Sequence, residues 1–88
     1  MKQLIKVQEV EQEGFLAFMG KALLVFASNY IYTGVLVGVN DTFIKLEGAR
    51  LVYETGAFAS KAYTDAQALP EGVWYVQQSA IESFGASK

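Results

Sequence analysis

The chain has 88 residues, no cysteine and no histidine, and seven basic against nine acidic side chains, for a formal net charge of −2. One domain fits that length, while disulfides, thiol nucleophiles, histidine bases and Cys/His zinc centres are excluded by composition. Its basic residues (Lys2, Lys6, Lys21, Lys45, Arg50, Lys61 and Lys88) are spread singly, which excludes the clustered cationic footprint of a duplex-DNA binder.

Residues 4–10 (LIKVQEV) alternate loosely and read as an N-terminal strand or arm within 1–10. Glu11, Gln12 and Glu13 precede Phe15, Leu16, Phe18 and Met19, and acidic residues ahead of an apolar face predict a helix over 11–20, weakened by Gly14 and ended by Gly20. The apolar run 14–27 is fourteen residues long and contains Lys21. A spanning helix needs about 20 apolar residues, so the run reads as core and not as membrane.

Residues 22–27 (ALLVFA) read as a buried strand and Ser28-Asn29 as a turn. Residues 30–39 (YIYTGVLVGV) are the clearest strand, apolar on both faces, with Gly34 and Gly38 on one parity where a strand bends or another backbone approaches. Asn40-Asp41 marks a hairpin connection, and 42–54 resumes strand character with a bulge or kink expected at Gly48. Residues 55–72, with Gly56, Gly72 and the single proline Pro70, read as a long loop or hairpin tip. A strand over 73–78, a corner at Ser79-Ala80 and a short strand over 81–84 complete the chain. Trp74 and Tyr75 point to opposite faces, so one enters the core and the other meets the 55–72 loop or a neighbouring subunit.

The expectation is one mainly β domain: a short N-terminal helix followed by a five-stranded, strongly bent antiparallel sheet forming a small, partly open barrel. Such a barrel keeps free edges on its last two strands. The apolar share of 52% is high for so short a chain, and a second copy pairing edge to edge is the simplest cover for the excess.

No catalytic set is visible: no histidine serves a serine nucleophile, the alternating Glu9, Glu11 and Glu13 read as a solvated face, and no phosphate-binding glycine loop occurs. No enzyme, cofactor or metal is expected. No secretory signal is read, and with no cysteine the setting is taken as reducing and cytoplasmic.

Two segments carry a resemblance. YIYTGVLVGVNDTFIKL (30–46) places Gly34, Leu36 and Asn40-Asp41 in order, and WYVQQSAIESF (74–84) places Ala80-Ile81 after a strand; Gln12, Phe15 and Leu16 precede both. This pattern resembles the Sm-like superfamily, closest to its bacterial Hfq-type RNA-chaperone branch, with 22–54 as the first motif region and 73–84 as the second. The resemblance implies a homo-oligomeric ring and single-stranded RNA binding at the two motif turns near the pore. The implied RNA-binding residues are Asn40, Thr42, Phe43, Gln78 and Ser79, with Gln12 on the rim. Where the Hfq-type branch has Lys-His before Ala-Ile, this chain has the neutral Gln78-Ser79. The rival expectation is therefore a structural or protein-interaction ring that uses the 55–72 loop as its contact surface.

Overall fold

Six strands form one antiparallel sheet in the computed structural model, which describes residues 13–88. They are β1 (Ala22–Ala27), β2 (Ile31–Val39), β3 (Phe43–Glu54), β4 (Asp65–Ala68), β5 (Val73–Gln77) and β6 (Ile81–Ala86). The arm expected over 1–10 and the first two residues of the expected helix, Glu11 and Gln12, lie outside the described residues.

The sheet runs β4-β3-β2-β1-β6, and β5 also pairs with β3. One flank of β3 holds β2; the other holds β4 against Arg50–Glu54 and β5 against Phe43–Glu47. The chain crosses from β4 to β5 through a 3-10 turn at Pro70–Gly72, held to β3 by Leu69 N–H donating to the Ala49 carbonyl at 2.9 Å. A second 3-10 turn, Gln78–Ala80, carries the chain from β5 to β6, which pairs with β1. The sheet is bent but not closed.

Two expected elements are corrected. The sheet has six strands and not five, because the expected 55–72 loop contains β4. Its sequence Asp-Ala-Gln-Ala has little intrinsic β preference; pairing with the open flank of β3 creates it. The helix expected over 11–20 is a five-residue 3-10 turn, Gly14–Phe18. Gly14 and Gly20 both have left-handed backbones, at φ +65 and +78, and Glu13 makes no side-chain cap hydrogen bond. So short a segment between two breaks cannot offset the cost of α-helix nucleation. The 3-10 form aligns residues three apart, so Phe15 and Phe18 both reach Phe84. Their ring centroids lie 4.0 and 6.2 Å from it, stacked and edge-on respectively.

The bend arises from bulges. Between Thr33↔Arg50 and Val35↔Glu47 the long strand β3 carries one extra residue, at Gly48-Ala49, and Gly48 takes the left-handed conformation that a bulge glycine supplies (φ +61). Between Leu36↔Leu46 and Gly38↔Lys45 the extra residue is Val37 on β2. That second bulge reverses parity. Gly34 faces inward against Leu46, whereas Gly38 lies beside Lys45 on the outer face, contrary to the shared face read from their spacing.

The core lies on the concave face: Leu23, Val25, Leu36, Ile44, Leu46, Ala49 and Val76, with Trp74, Ile81 and Phe84 packed against it. Each fully buried Leu, Ile or Val contributes about 1.5–3 kcal/mol. Leu24, Thr33 and Val52 are also buried but project from the opposite face, as the pairs Leu24↔Thr33 and Thr33↔Arg50 require. Tyr63 of the 55–64 segment and Ser87 near the end of the chain reach that face. Tyr63 stands 5.6 Å from the Arg50 guanidinium, and Ser87 Oγ is 2.7 Å from Thr33 Oγ1.

Candidate functional site

The turn after β2 and the corner after β5 lie 38 residues apart in sequence and are bonded directly to each other. Gln78 N–H donates to the Thr42 carbonyl at 2.8 Å, and the Gln78 side-chain amide donates to the Asn40 carbonyl. Asn40, Thr42, Phe43, Gln78 and Ser79 therefore share one end of the sheet.

Their chemical roles differ. Asn40 Oδ1 accepts from the backbone N–H groups of Thr42 and Phe43, at 2.8 and 2.9 Å, and Asn40 N–H donates to the Phe43 carbonyl at 3.0 Å. This is the self-closing turn that an Asn side chain makes, so its amide oxygen is fully engaged and only its NH2 group faces outward chemistry. Gln78 is half-buried and uses its amide N–H to brace the Asn40 turn. Asp41, Thr42 and Ser79 are exposed. Phe43 is half-buried on the outer face and packs edge-on against Tyr75, with centroids 4.9 Å apart.

Tyr75 leads from these turns to a groove that sequence reasoning did not locate. The groove has a volume of about 220 Å³ and is lined by the Ser28–Tyr30 turn, Tyr32, Tyr75, Gln77 and Ala80. Tyr30 and Tyr32 meet edge-on at 6.2 Å. Tyr30 and Tyr75 are 53% and 55% exposed, so both ring surfaces are open to a ligand. Trp74 takes the inward position on β5 and Tyr75 the outward one, as alternation demands, but Tyr75 meets Phe43 and Lys45 instead of the 55–72 loop. The available signal was the aromatic spacing itself, Tyr30 and Tyr32 beside a Ser-Asn turn. What remained hidden was that β5 crosses to the same end.

The electrostatics are mild. Lys45 Nζ lies 5.9 Å from the Tyr75 centroid, and Glu47 follows on the same face of β3, so no dense positive field forms. Burial pushes the Tyr32 phenol above its ordinary value; a hydrogen bond with Trp74 partly offsets this, and neighbouring Tyr30 adds to it. Among the described residues no group of three or more Asp, Glu, His or Cys side chains is placed to hold a metal ion. What the site offers is a strip of aromatic faces bordered by amide and hydroxyl groups, suited to stacking and neutral hydrogen bonding.

No family model, no curated protein and no solved structure matches this chain.

Proposed function

We propose that this chain is an Sm-like domain that assembles into a homo-oligomeric ring and binds single-stranded RNA without catalysis. The observation that carries the reading is the strand path around the Gln78–Ala80 corner. β5 lies on the flank of β3 and β6 on the flank of β1, and each keeps its outer edge unpaired among the described residues. An edge of one copy against the complementary edge of the next is a heterologous contact that repeats, and it closes when the rotation allows. The bonding of the Asn40 turn to the Gln78 corner supports a common site from both motifs, and the groove beside them adds a stacking surface.

In this reading Phe43 and Tyr75 carry the bases, Thr42, Ser79 and Gln77 supply neutral hydrogen bonds, and Lys45 is the cation nearest the phosphates. Asn40 and Gln78 shape the turns more than they grip the ligand. Stacking of a base on an aromatic side chain is worth about 1–3 kcal/mol. Few phosphates are neutralised, so the salt dependence is shallow, with a slope of about −0.7 for each phosphate contacted.

The test is a fluorescence anisotropy titration of U-rich and A-rich oligonucleotides at low and moderate salt, with wild type and Tyr75→Ala. Saturable binding that prefers one oligonucleotide, falls modestly with salt and weakens about tenfold in Tyr75→Ala is expected. Absence of binding at low salt would sink the RNA reading.

One observation favours the rival class, a structural or protein-interaction ring: the Asn40 amide oxygen and the Gln78 amide N–H are spent on bracing the turns. Under that reading the ring forms, RNA does not bind, and shortening the tip of the 55–64 loop removes a protein partner.

A further inference from the structure

The 55–64 loop directs three of its backbone carbonyls at a single point, and the ammonium of Lys88 sits there. Lys88 Nζ donates to the carbonyls of Thr55 at 2.6 Å, Ala57 at 2.7 Å and Ala62 at 3.3 Å. A primary ammonium has three N–H donors, and here each has its own acceptor. The walls of the site are aromatic: Nζ lies 5.0 Å from the Tyr63 ring centroid and 5.6 Å from that of Phe58. Both distances fall within the range at which a ring face attracts a cation.

The stem that delivers this ammonium is also fixed. Ser87 N–H donates to the Ala22 carbonyl at 3.1 Å, which continues the β1–β6 pairing by one step. Lys88 N–H donates to the Tyr63 hydroxyl at 3.3 Å, and the Tyr63 hydroxyl also hydrogen-bonds with Ser87 Oγ. Ser87 Oγ in turn bonds with the buried Thr33 hydroxyl, which reaches the Leu23 carbonyl at 3.0 Å. Phe58 is nonetheless 65% exposed, so apolar packing does little to hold the loop in place.

We propose that the 55–64 loop is a binding site for a primary ammonium, and that Lys88 occupies it in cis as a charge-dependent latch joining the loop to the end of β6. The acceptor geometry sets the specificity. A quaternary ammonium satisfies the rings but leaves all three carbonyls unpaired, and a planar guanidinium spreads its donors away from one point. With the ammonium in place the loop reaches the face bearing Leu24, Thr33 and Val52; without it the three carbonyls must find water, and the loop opens. This property is independent of RNA binding and of ring formation.

Hydrogen exchange of the loop amides, read by mass spectrometry, tests the latch. Lys88→Met keeps an unbranched stem and removes the ammonium. Exchange across 55–64 is expected to accelerate about tenfold or more in this variant, while β2 and β3 keep wild-type protection. Adding n-butylammonium to Lys88→Met is expected to restore protection, whereas tetramethylammonium at equal ionic strength does not; wild type responds to neither. Lys88→Arg, which keeps the charge, covers the case in which Lys88→Met fails to fold, and its loop is expected to exchange faster than wild type. Equal loop exchange in wild type and Lys88→Met would overturn the proposal. So would equal rescue by the two ammonium ions, or wild-type protection in Lys88→Arg.

Discussion

Gly34 and Gly38 stand four residues apart on one strand, and alanine should destabilise at the first and not at the second. A Cβ at Gly34 would lie 3.1 Å from Leu46 Cβ, 3.2 Å from Ala49 Cα and 3.2 Å from the Glu47 carbonyl oxygen. Two of those three neighbours are backbone atoms of the β3 bulge, which cannot rotate away. Overpacking of this kind costs about 1–3 kcal/mol. The reduced entropy of the unfolded chain returns about 0.4–1 kcal/mol, so Gly34→Ala is expected to lose about 1–2 kcal/mol. At about 4–8 °C per kcal/mol for a domain of this size, Tm falls by roughly 4–16 °C. At Gly38 the nearest atoms are Lys45 Cβ at 3.7 Å and Cδ at 4.0 Å, ordinary contacts, so only the entropic gain remains and Gly38→Ala leaves Tm unchanged or raises it slightly. Urea and thermal melts followed by far-UV circular dichroism, at one fixed protein concentration, compare the two. A Gly34→Ala protein that melts with wild type, or a Gly38→Ala protein that falls equally far, would refute the bulge geometry behind the argument.

Asn40→Ala is expected to destabilise by about 1–2 kcal/mol through loss of both turn hydrogen bonds, whereas Asn40→Asp keeps the acceptor and most of the stability, as urea titrations would report. Phe84→Ala removes the ring that stacks on Phe15 and should cost about 3 kcal/mol; a double-mutant cycle with Phe15→Ala should return a coupling of about 0.5–1.5 kcal/mol. Because burial raises the Tyr32 pKa in the folded state, its contribution to stability is complete below the unfolded value of about 10 and is lost as pH rises through the folded value. Alkaline unfolding should therefore be less steep in Tyr32→Phe, and a phenolate absorbance titration of the folded protein should lose one tyrosine that ionises above the ordinary value.

Much of the strand layout was legible because hydrophobic pattern and turn residues agreed. β1, β2 and β3 begin and end within one residue of the segments read from ALLVFA, YIYTGVLVGV and TFIKLEGARLVYE, and the bulge at Gly48 was marked by its glycine. β4 was hidden because Asp65–Ala68 carries no strand signal of its own and forms only against the long flank of β3. The outward turn of Gly38 was hidden because Val37, an ordinary β residue, is the inserted one. The Asn40 turn and the Gln78 corner meet because β5 pairs with β3, but the engagement of Asn40 Oδ1 by two backbone donors is a matter of side-chain geometry that spacing cannot reveal. The Tyr30–Tyr75 groove joins residues from β5 and from the turn before β2, and only the sheet path brings them to one end.

The mass of the assembly in solution tests the ring most directly, because the shared site and its stacking strip are read within that architecture. Light scattering on the eluting protein should give one species at a fixed whole multiple, three or more, of the 9.6 kDa chain, unchanged on dilution through the micromolar range, as a stable closed heterologous ring requires. A monomer at every concentration, or a mass that grows without limit as concentration rises, would contradict the ring.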